Sequence, residues 1–127
     1  MARTDYTVEI IECSKELTHK EEAQLKDLTF CQSLNEIVQQ QAIVIKPVMV
    51  AALKVHNEHS KDNKDYTVYV IADENGDRYK TGSESFYSTV CDIIADMAGT
   101  DEEWEINIYT RQSKNHSGKN FITCSIV

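Results

Sequence analysis

The sequence predicts a strand-rich fold in which one amphipathic helix interrupts a series of β-strands. Segments that alternate apolar and polar residues have the period of a strand with one buried face, and the clearest are Glu103 to Arg111 and Phe121 to Val127. Between Gly82 and Gly99 the apolar residues instead recur at helical spacing. The predicted class is therefore β-rich, either all-β or α+β.

The N-terminal 42 residues are predicted to form an extension that packs on the main fold. Tyr6 to Glu12 alternates apolar and polar residues, which predicts an additional strand. Thr18 and Ser33 are each followed three residues later by a glutamate, which is the spacing of a helix capping box. A short helix is expected after each of these two residues.

Three strands are predicted in the middle of the chain. Ile43 to Asn57 is β-branched and apolar, and Pro47 favours a bend in it because a central strand rejects proline. Tyr66 to Ala72, rich in Tyr and Val, predicts the second strand. Asn75-Gly76 predicts a hairpin through a type I′ turn, in which both residues have positive φ. Arg78 to Thr81 then returns as the third strand.

One helix follows the third strand. Its apolar residues share a single helical face and are Phe86, Val90, Ile93, Ile94 and Met97. Gly82-Ser83 opens this segment, and Gly99 ends it where a left-handed cap is wanted.

The last two predicted strands form a terminal hairpin whose side chains can be assigned to faces by parity. In its first strand Trp104, Ile106 and Ile108 are predicted to point inward, which sends Tyr109 and Arg111 outward. In its second strand the residues predicted on the buried face are Ile122, Cys124 and Ile126. Phe121 and Thr123 are then predicted outward.

This order of elements is that of an OB-like five-stranded barrel, with one helix between strands three and four. We predict a single domain spanning residues 1–127, in which residues 1–42 are the N-terminal extension. An OB barrel binds oligonucleotides or oligosaccharides on strands two and three and on two loops, which join strands one to two and four to five. Here those loops are Asn57 to Asp65 and Gln112 to Lys119.

The charge of the chain is distributed unevenly. The formal net charge is −8, which opposes binding to a phosphate backbone. Residues 1–105 carry ten Lys or Arg against all twenty-one acidic residues, a charge of −11. Residues 106–127 carry three basic residues and no acidic one, a charge of +3. The basic segment coincides with the predicted terminal hairpin.

Cations and aromatic rings occur together at the predicted binding loops. Single-strand binding combines cations that follow the backbone with rings on which bases stack, each stack being worth about 1–3 kcal/mol. Tyr66 and Tyr69 have opposite parity on the second strand, so at most one of them is expected to face a ligand. The predicted nucleic-acid-binding residues are Arg111, Lys114, Lys119, Tyr109, Phe121, Lys61, Lys64, His116 and Tyr69.

Several of these features have plainer explanations. Tyr109 and Phe121 could instead cover the hairpin or form a dimer contact. The acidic stretch Asp101 to Glu105 is most simply a solvated turn and strand face, and its functional alternative is a patch that docks a basic partner. His56 and His59 resemble metal ligands, but on a strand end this spacing sends the two imidazoles to opposite faces, so no metal site is predicted.

No catalytic residue, cofactor or membrane segment is predicted. The chain lacks a glycine-rich phosphate loop, a nucleophile motif and a helical His-Glu-x-x-His. No apolar run approaches the roughly 18 residues that cross a bilayer, and no secretion signal is visible, so a cytoplasmic protein is expected. The widely spaced cysteines are expected to be reduced core thiols: Cys13, Cys31, Cys91 and Cys124.

Three segments resemble a known group of proteins: Asp62 to Tyr66, Thr81 to Phe86, and Ser113 to Val127. Together they are similar to small proteins encoded by phages and mobile elements of Gram-positive bacteria, some of which bind single-stranded DNA. The resemblance implies single-stranded DNA as the partner. One departure is that many bacterial single-strand binders end in an acidic tail that recruits other proteins, whereas this chain ends in the apolar run Ile122 to Val127.

The leading hypothesis is a non-catalytic protein that binds single-stranded DNA, as a homodimer or cooperatively, in phage or mobile-element replication or recombination. A rival hypothesis is an acidic interaction module that imitates nucleic acid and inhibits or recruits a host protein. It is suggested by the charge of −11 outside the hairpin. A third hypothesis is a structural or assembly subunit, which predicts a stable oligomer with neither DNA nor a host partner.

Overall fold

The computed structural model describes residues 6–58, 65–112 and 120–127. Within these ranges the strands are β1 Tyr6–Cys13, β2 Gln32–Ser33, β3 Ile43–Ile45, β4 Pro47–Asn57, β5 Asp65–Asp73, β6 Arg78–Thr81, β7 Ile106–Gln112 and β8 Asn120–Ile126. The α-helices are α1 His19–Lys26, α2 Leu34–Gln40 and α3 Glu84–Met97, and a short 3₁₀ helix covers Leu28–Phe30. The β-rich fold class is confirmed.

The strands form two sheets that are joined by a bend in the chain. The first sheet has the order β1-β4-β5-β6-β2, and the second has the order β3-β7-β8. β2 and β6 are parallel, and the other neighbours are antiparallel. Only Lys46 separates β3 from β4, and the register shifts between Pro47 and Met49. The predicted long strand therefore bends at the proline, and its two halves belong to different sheets.

The element order expected for the barrel is present, but the closure of the barrel is not seen among the described residues. The strands follow the predicted order, α3 lies between β6 and β7 in the chain, and α3 packs near β8. In the described part of the chain, β6 pairs with β5 and β2, whereas β8 pairs with β7. No ladder joins β6 to β8 among these residues, which form two separate sheets.

The N-terminal residues add strands and helices to the first sheet. β1 extends its edge by pairing with β4, and β2 pairs with β6. The capping box before α1 is present: Glu21 N–H donates to Thr18 Oγ1 at 3.1 Å, and Thr18 N–H donates to Glu21 Oε1 at 2.9 Å. α2 begins after Ser33 as expected, but the Ser33 side chain makes no capping hydrogen bond.

The turn between β5 and β6 differs from the predicted type I′ geometry. Gly76 has a φ of +90°, but no non-glycine residue in the described ranges has a positive φ, so Asn75 does not have the conformation that a type I′ turn requires. Gly76 N–H donates to the Asp73 carbonyl, while Asp73 Oδ1 accepts from the backbone N–H groups of Asn75 and Asp77. The hairpin was predicted correctly, and its turn type was wrong because the Asp73 carboxylate organises a longer loop.

The first sheet buries apolar side chains on both of its faces. One face packs Val8, Leu53 and Val68 against Leu25 of α1 and Leu28 of the 3₁₀ helix. The other face packs against α2, α3 and the second sheet, and its cluster includes Val50, Ala52, Ile71, Phe86, Val90, Ile106 and Ile108. Among the described residues, none of the helices has the length and apolar character needed to cross a membrane.

α3 follows its sequence prediction closely. Ser83 caps its N-terminus, where the Phe86 N–H donates to Ser83 Oγ at 3.3 Å. Phe86 and Val90 are buried on its inner face. The helix ends just before Gly99, which has a φ of +83°, the left-handed conformation that glycine adopts without strain.

Candidate nucleic-acid interface

β7 and β8 form a regular antiparallel hairpin. Their register runs from Ile106 opposite Ile126 to Gln112 opposite Asn120, without a bulge. The inner face of the hairpin buries Ile106, Ile108, Ile122 and Cys124, as the parity of the sequence predicts. Ile126 was also predicted on this buried face, but 46% of its surface is exposed. Ile126 is the last residue of β8, and the strand end leaves its side chain partly open to solvent.

The outer face of the hairpin brings together an aromatic ring and a cation. Arg111 lies directly opposite Phe121 in the ladder, and both side chains point away from the buried face. Directly opposed residues have Cβ atoms about 4.5–5.5 Å apart, so the two side chains are neighbours. Phe121 is 44% exposed, and Arg111 is exposed with no described carboxylate within ion-pair distance. A guanidinium without an ion-pair partner among the described residues therefore lies beside an exposed ring.

Tyr109 lies on the same outer face, two ladder pairs further from the tip, opposite Thr123. Its hydroxyl is hydrogen-bonded to Ser125 Oγ at 2.9 Å across the hairpin. This bond holds a half-buried ring against the outer surface of the strand pair. The three outer-face residues Tyr109, Arg111 and Phe121 thus form one surface, which we call the hairpin face.

Tyr69 is placed differently, and its prediction as a binding residue has to be corrected. Its side chain is only 9% exposed and stacks on Tyr87 of α3, with ring centroids 4.4 Å apart. Burial raises the pKa of the Tyr69 hydroxyl. A base cannot stack on a ring whose face is already covered by Tyr87. Tyr66, of opposite parity, is the exposed tyrosine of β5.

The remaining predicted residues are in the two loops. Lys61 and Lys64 lie outside the described residues, and so do Lys114, His116 and Lys119. The ends of both loops are described, however. The second loop joins Gln112 to Asn120, which are paired at the tip of the hairpin, next to Arg111 and Phe121. Its two lysines and His116 are therefore separated from the hairpin face by only a few residues along the chain.

A histidine bridge at the base of the first loop was missed by sequence reasoning. His56 Nδ1 lies 2.7 Å from Asp65 Oδ1, and Nε2 lies 2.6 Å from Glu58 Oε1. Hydrogen bonds to Glu58 and then to Asp65 raise the pKa of His56, which favours its charged form. His56 and Asp65 are directly opposed in the ladder. The sequence signal was a histidine and an acid flanking one predicted loop, which becomes informative only once the strand register is known.

The described residues do not contain a group of three or more His, Cys, Asp or Glu side chains that could hold a metal ion. Both ring nitrogens of His56 already face carboxylates, and His59 lies outside the described ranges. The four cysteines are free, and burial raises the pKa of Cys124 to about 11. A thiol with so high a pKa is protonated and unreactive at neutral pH.

A comparison with family models identifies the family of the chain. Residues 10–127 match the model described as Phage Single-stranded DNA-binding protein. This match covers nearly the whole chain, so the protein belongs to that family, whose members are non-catalytic DNA-binding proteins. Its role in the phage is to bind single-stranded DNA. Searches of curated proteins and of solved structures found no match.

Proposed function

We propose that the hairpin face is the DNA-binding surface of this protein and that the protein acts in the replication or recombination of phage DNA. We further propose that the phage infects a Gram-positive bacterium and that the protein acts in the cytoplasm of this host. The resemblance of Ser113 to Val127 to proteins of such phages supports the choice of host.

The observation that carries the proposal is the direct pairing of Arg111 with Phe121 on an exposed strand face. A base stacked on Phe121 would leave its flanking phosphate within reach of the Arg111 guanidinium, which is the combination of ring and cation that single-strand binders use. Tyr109, held by Ser125, offers a second ring along the same face. The hairpin face can therefore receive successive nucleotides of one strand.

Basic loop residues extend this surface in the proposal. Lys114 and Lys119, with His116 between them, belong to the loop that joins the two strands of the hairpin. Lys61 and Lys64 would continue the phosphate track on the other predicted binding loop. Because the rest of the molecule is strongly acidic, we expect modest affinity with a steep loss in salt, strengthened by cooperative or dimeric binding.

The family match favours DNA binding over the rival hypothesis of an acidic protein that imitates nucleic acid. The acidic residues of the stretch Asp101 to Glu105 are all exposed, and only Trp104 within it is half-buried. Glu103 lies 3.6 Å from Lys46 while remaining largely exposed, and the backbone of Glu105 pairs with Val127. These contacts support the simpler assignment of the stretch to a solvated edge of the second sheet.

Titration of a fluorescent oligo(dT) at low salt tests the assignment of the hairpin face. Phe121→Ala should weaken binding by about 1–3 kcal/mol through the loss of one stacked base. Ile126→Ala is the matched control, because Ile126 lies on the same strand with nearly the same exposure but on the opposite face. We expect this control to bind as tightly as the unmodified protein.

Two results would contradict the assignment. One is equal affinity of Phe121→Ala and the unmodified protein. The other is an equal loss in both variants, because a general weakening of the hairpin would then explain the effect. Tyr109→Ala and Lys114→Ala extend the test along the surface, and each should also weaken binding.

A further inference from the structure

A second exposed aromatic ring lies near a cation that has no ion-pair partner among the described residues, at a place far from the hairpin in the chain. Phe30 and Arg78 line one open cleft of about 280 Å³, together with Gln24, Gln32 and the Gly76-Asp77 turn. The cleft lies where the N-terminal elements meet the start of β6. Its volume is close to the lower end of the range for small-molecule sites, roughly 300–1,000 Å³. Its size therefore limits an occupant to about one nucleotide.

The backbone around Phe30 holds its ring out of the core. Asp27 Oδ1 accepts the Thr29 N–H at 3.1 Å, and Cys31 N–H donates to the Leu28 carbonyl, which together fix one 3₁₀ turn. Leu28 is buried and anchors this turn to the first sheet. Phe30 is 71% exposed, the largest exposed fraction among the large apolar side chains that the structure describes. The anchored turn therefore presents an exposed phenylalanine ring.

The cations of β6 lie on the same side of the sheet as this ring. Tyr79 and Thr81 are buried, so Arg78 and Lys80 point to the opposite face. Gln32 is paired with Tyr79 in the β2–β6 ladder, which places β2 beside both cations. Burial raises the pKa of the Cys31 thiol overall, while the charges of Lys80 and Arg78 lower it, so both cations act on the residue next to Phe30.

The Arg78 guanidinium can interact with an anionic ligand. No carboxylate in the described ranges lies within ion-pair distance of its guanidinium. Asp77 also lines the cleft. Its backbone N–H donates to Asp73 Oδ1, and its carbonyl accepts from the Asp73 N–H. The cleft therefore presents a cation that has no ion-pair partner among the described residues, two glutamine amides and an exposed ring, and Asp77 also lines it.

We propose that this cleft binds one nucleotide of the single strand, with the base stacked on Phe30 and a phosphate on Arg78. The inference rests on the proposed function and adds a contact that the predicted binding loops do not include. It gives the N-terminal extension a part in DNA binding, since Phe30 and Gln32 both precede residue 43. β6 is the third strand of the predicted barrel order, a strand on which this architecture binds oligonucleotides.

Photo-crosslinking with an iodouracil-substituted oligonucleotide tests the two surfaces separately. Iodouracil couples on irradiation to aromatic side chains stacked on it, and trypsin then divides the chain into informative peptides. One tryptic peptide runs from Asp27 to Lys54, because trypsin does not cleave between Lys46 and Pro47. Phe30 is the only aromatic residue in this peptide. Phe121 is the only aromatic residue in Asn120 to Val127. We expect crosslinked nucleotide on both peptides.

The outcomes distinguish this inference from the proposed function. A crosslink on Asn120 to Val127 with none on Asp27 to Lys54 would overturn the cleft and leave the hairpin face intact. A crosslink on Asp27 to Lys54 alone would support the cleft and overturn the hairpin assignment. The absence of any oligonucleotide binding would overturn both proposals together.

Variants of the cleft give a second readout. Phe30→Ala should weaken oligo(dT) binding about 5- to 140-fold, whereas Phe30→Tyr should bind like the unmodified protein. Asp77→Asn should tighten binding because it removes a carboxylate that lines the cleft and repels a phosphate, and Asp92→Asn on α3 is its charge-matched control. Circular dichroism confirms that each variant is folded.

Equal affinity of Phe30→Ala and the unmodified protein would overturn the inference. So would a Phe30→Ala variant that changes the oligomeric state without changing DNA affinity, because the Phe30 ring would then belong to a contact between copies of the chain.

Discussion

At the scale of single residues, side-chain parity was the most reliable guide to the candidate site. It placed Tyr109, Arg111 and Phe121 on one outer face, and the register of β7 and β8 agrees with that placement. Parity could not reveal that both faces of β5 are covered. Tyr69 is buried because Tyr87, on a helix that follows in the chain, stacks on it, and only the packing of α3 reveals this contact.

The His56 bridge predicts a pH-dependent stability. The raised pKa of His56 means that its contribution is fully present below the unfolded pKa of about 6.5 and is lost as the pH rises through the folded pKa. The lowered pKa of Asp65, caused mainly by its hydrogen bond to His56, means that its contribution is present above about pH 3.9 and is lost as the pH falls. The bridge therefore stabilises most between these values.

Thermal unfolding of His56→Gln across the pH range measures this contribution. The difference in Tm from the unmodified protein should be largest near about pH 5–6 and should shrink above neutral pH. His19→Gln, on the exposed surface of α1, is the matched control and should show no such pattern. A Tm difference that is constant from pH 5 to pH 9 would argue against the bridge.

At the scale of elements, most strands and helices could be predicted because their signals are local. Thr18 and Ser83 each precede a helix that they cap, and Pro47 marks the bend between two strands. The turn at Asn75 was the exception. Two residues suffice to predict a hairpin, but the turn type depends on the Asp73 carboxylate, which accepts two backbone N–H groups from the other side of the loop.

Two substitutions in this turn test its geometry. Gly76→Ala should destabilise the protein by about 1 kcal/mol, because a side chain at a φ of +90° strains the backbone. No atom lies within 4 Å of the added Cβ, so the cost comes from the backbone and not from a collision. Asn75→Ala should cost much less, since Asn75 has no positive φ. Urea unfolding measures the loss of unfolding free energy in both variants. Equal losses would contradict the observed turn and favour a type I′ turn.

At the scale of the whole molecule, the two apolar clusters lie on opposite faces of one sheet. Neighbouring residues of β4 alternate between them, as Leu53 and Ala52 do. We therefore propose that residues 1–127 unfold as one domain. What the sequence could not predict is how the N-terminal extension is attached: β2 is two residues long, and its parallel pairing with β6 has no local signal.

Leu25→Ala tests this cooperativity. Leu25 is fully buried in the cluster under α1, and its truncation should cost about 2–5 kcal/mol. Trp104, the only tryptophan, packs against the other cluster and reports on it by fluorescence. If the domain is single, the variant shifts the fluorescence transition and the circular dichroism transition equally. A Trp104 transition that does not move would show two independent units.

The net charge of −8 makes salt dependence the most informative property of DNA binding by the whole protein. Each phosphate contact with a single strand contributes about 0.7 to the slope of log affinity against log salt. A basic surface confined to a few residues on an acidic molecule should therefore give a slope that depends visibly on each of its cations.

The most direct test of the hairpin face is the salt dependence of oligo(dT) binding by Arg111→Ala. The slope should become shallower by about 0.7 relative to the unmodified protein, the value for one lost phosphate contact. Lys20→Ala, which removes an exposed cation from α1, is the charge-matched control and should keep the original slope. A slope for Arg111→Ala that equals those of the control and the unmodified protein would contradict the assignment of the hairpin face to the DNA backbone.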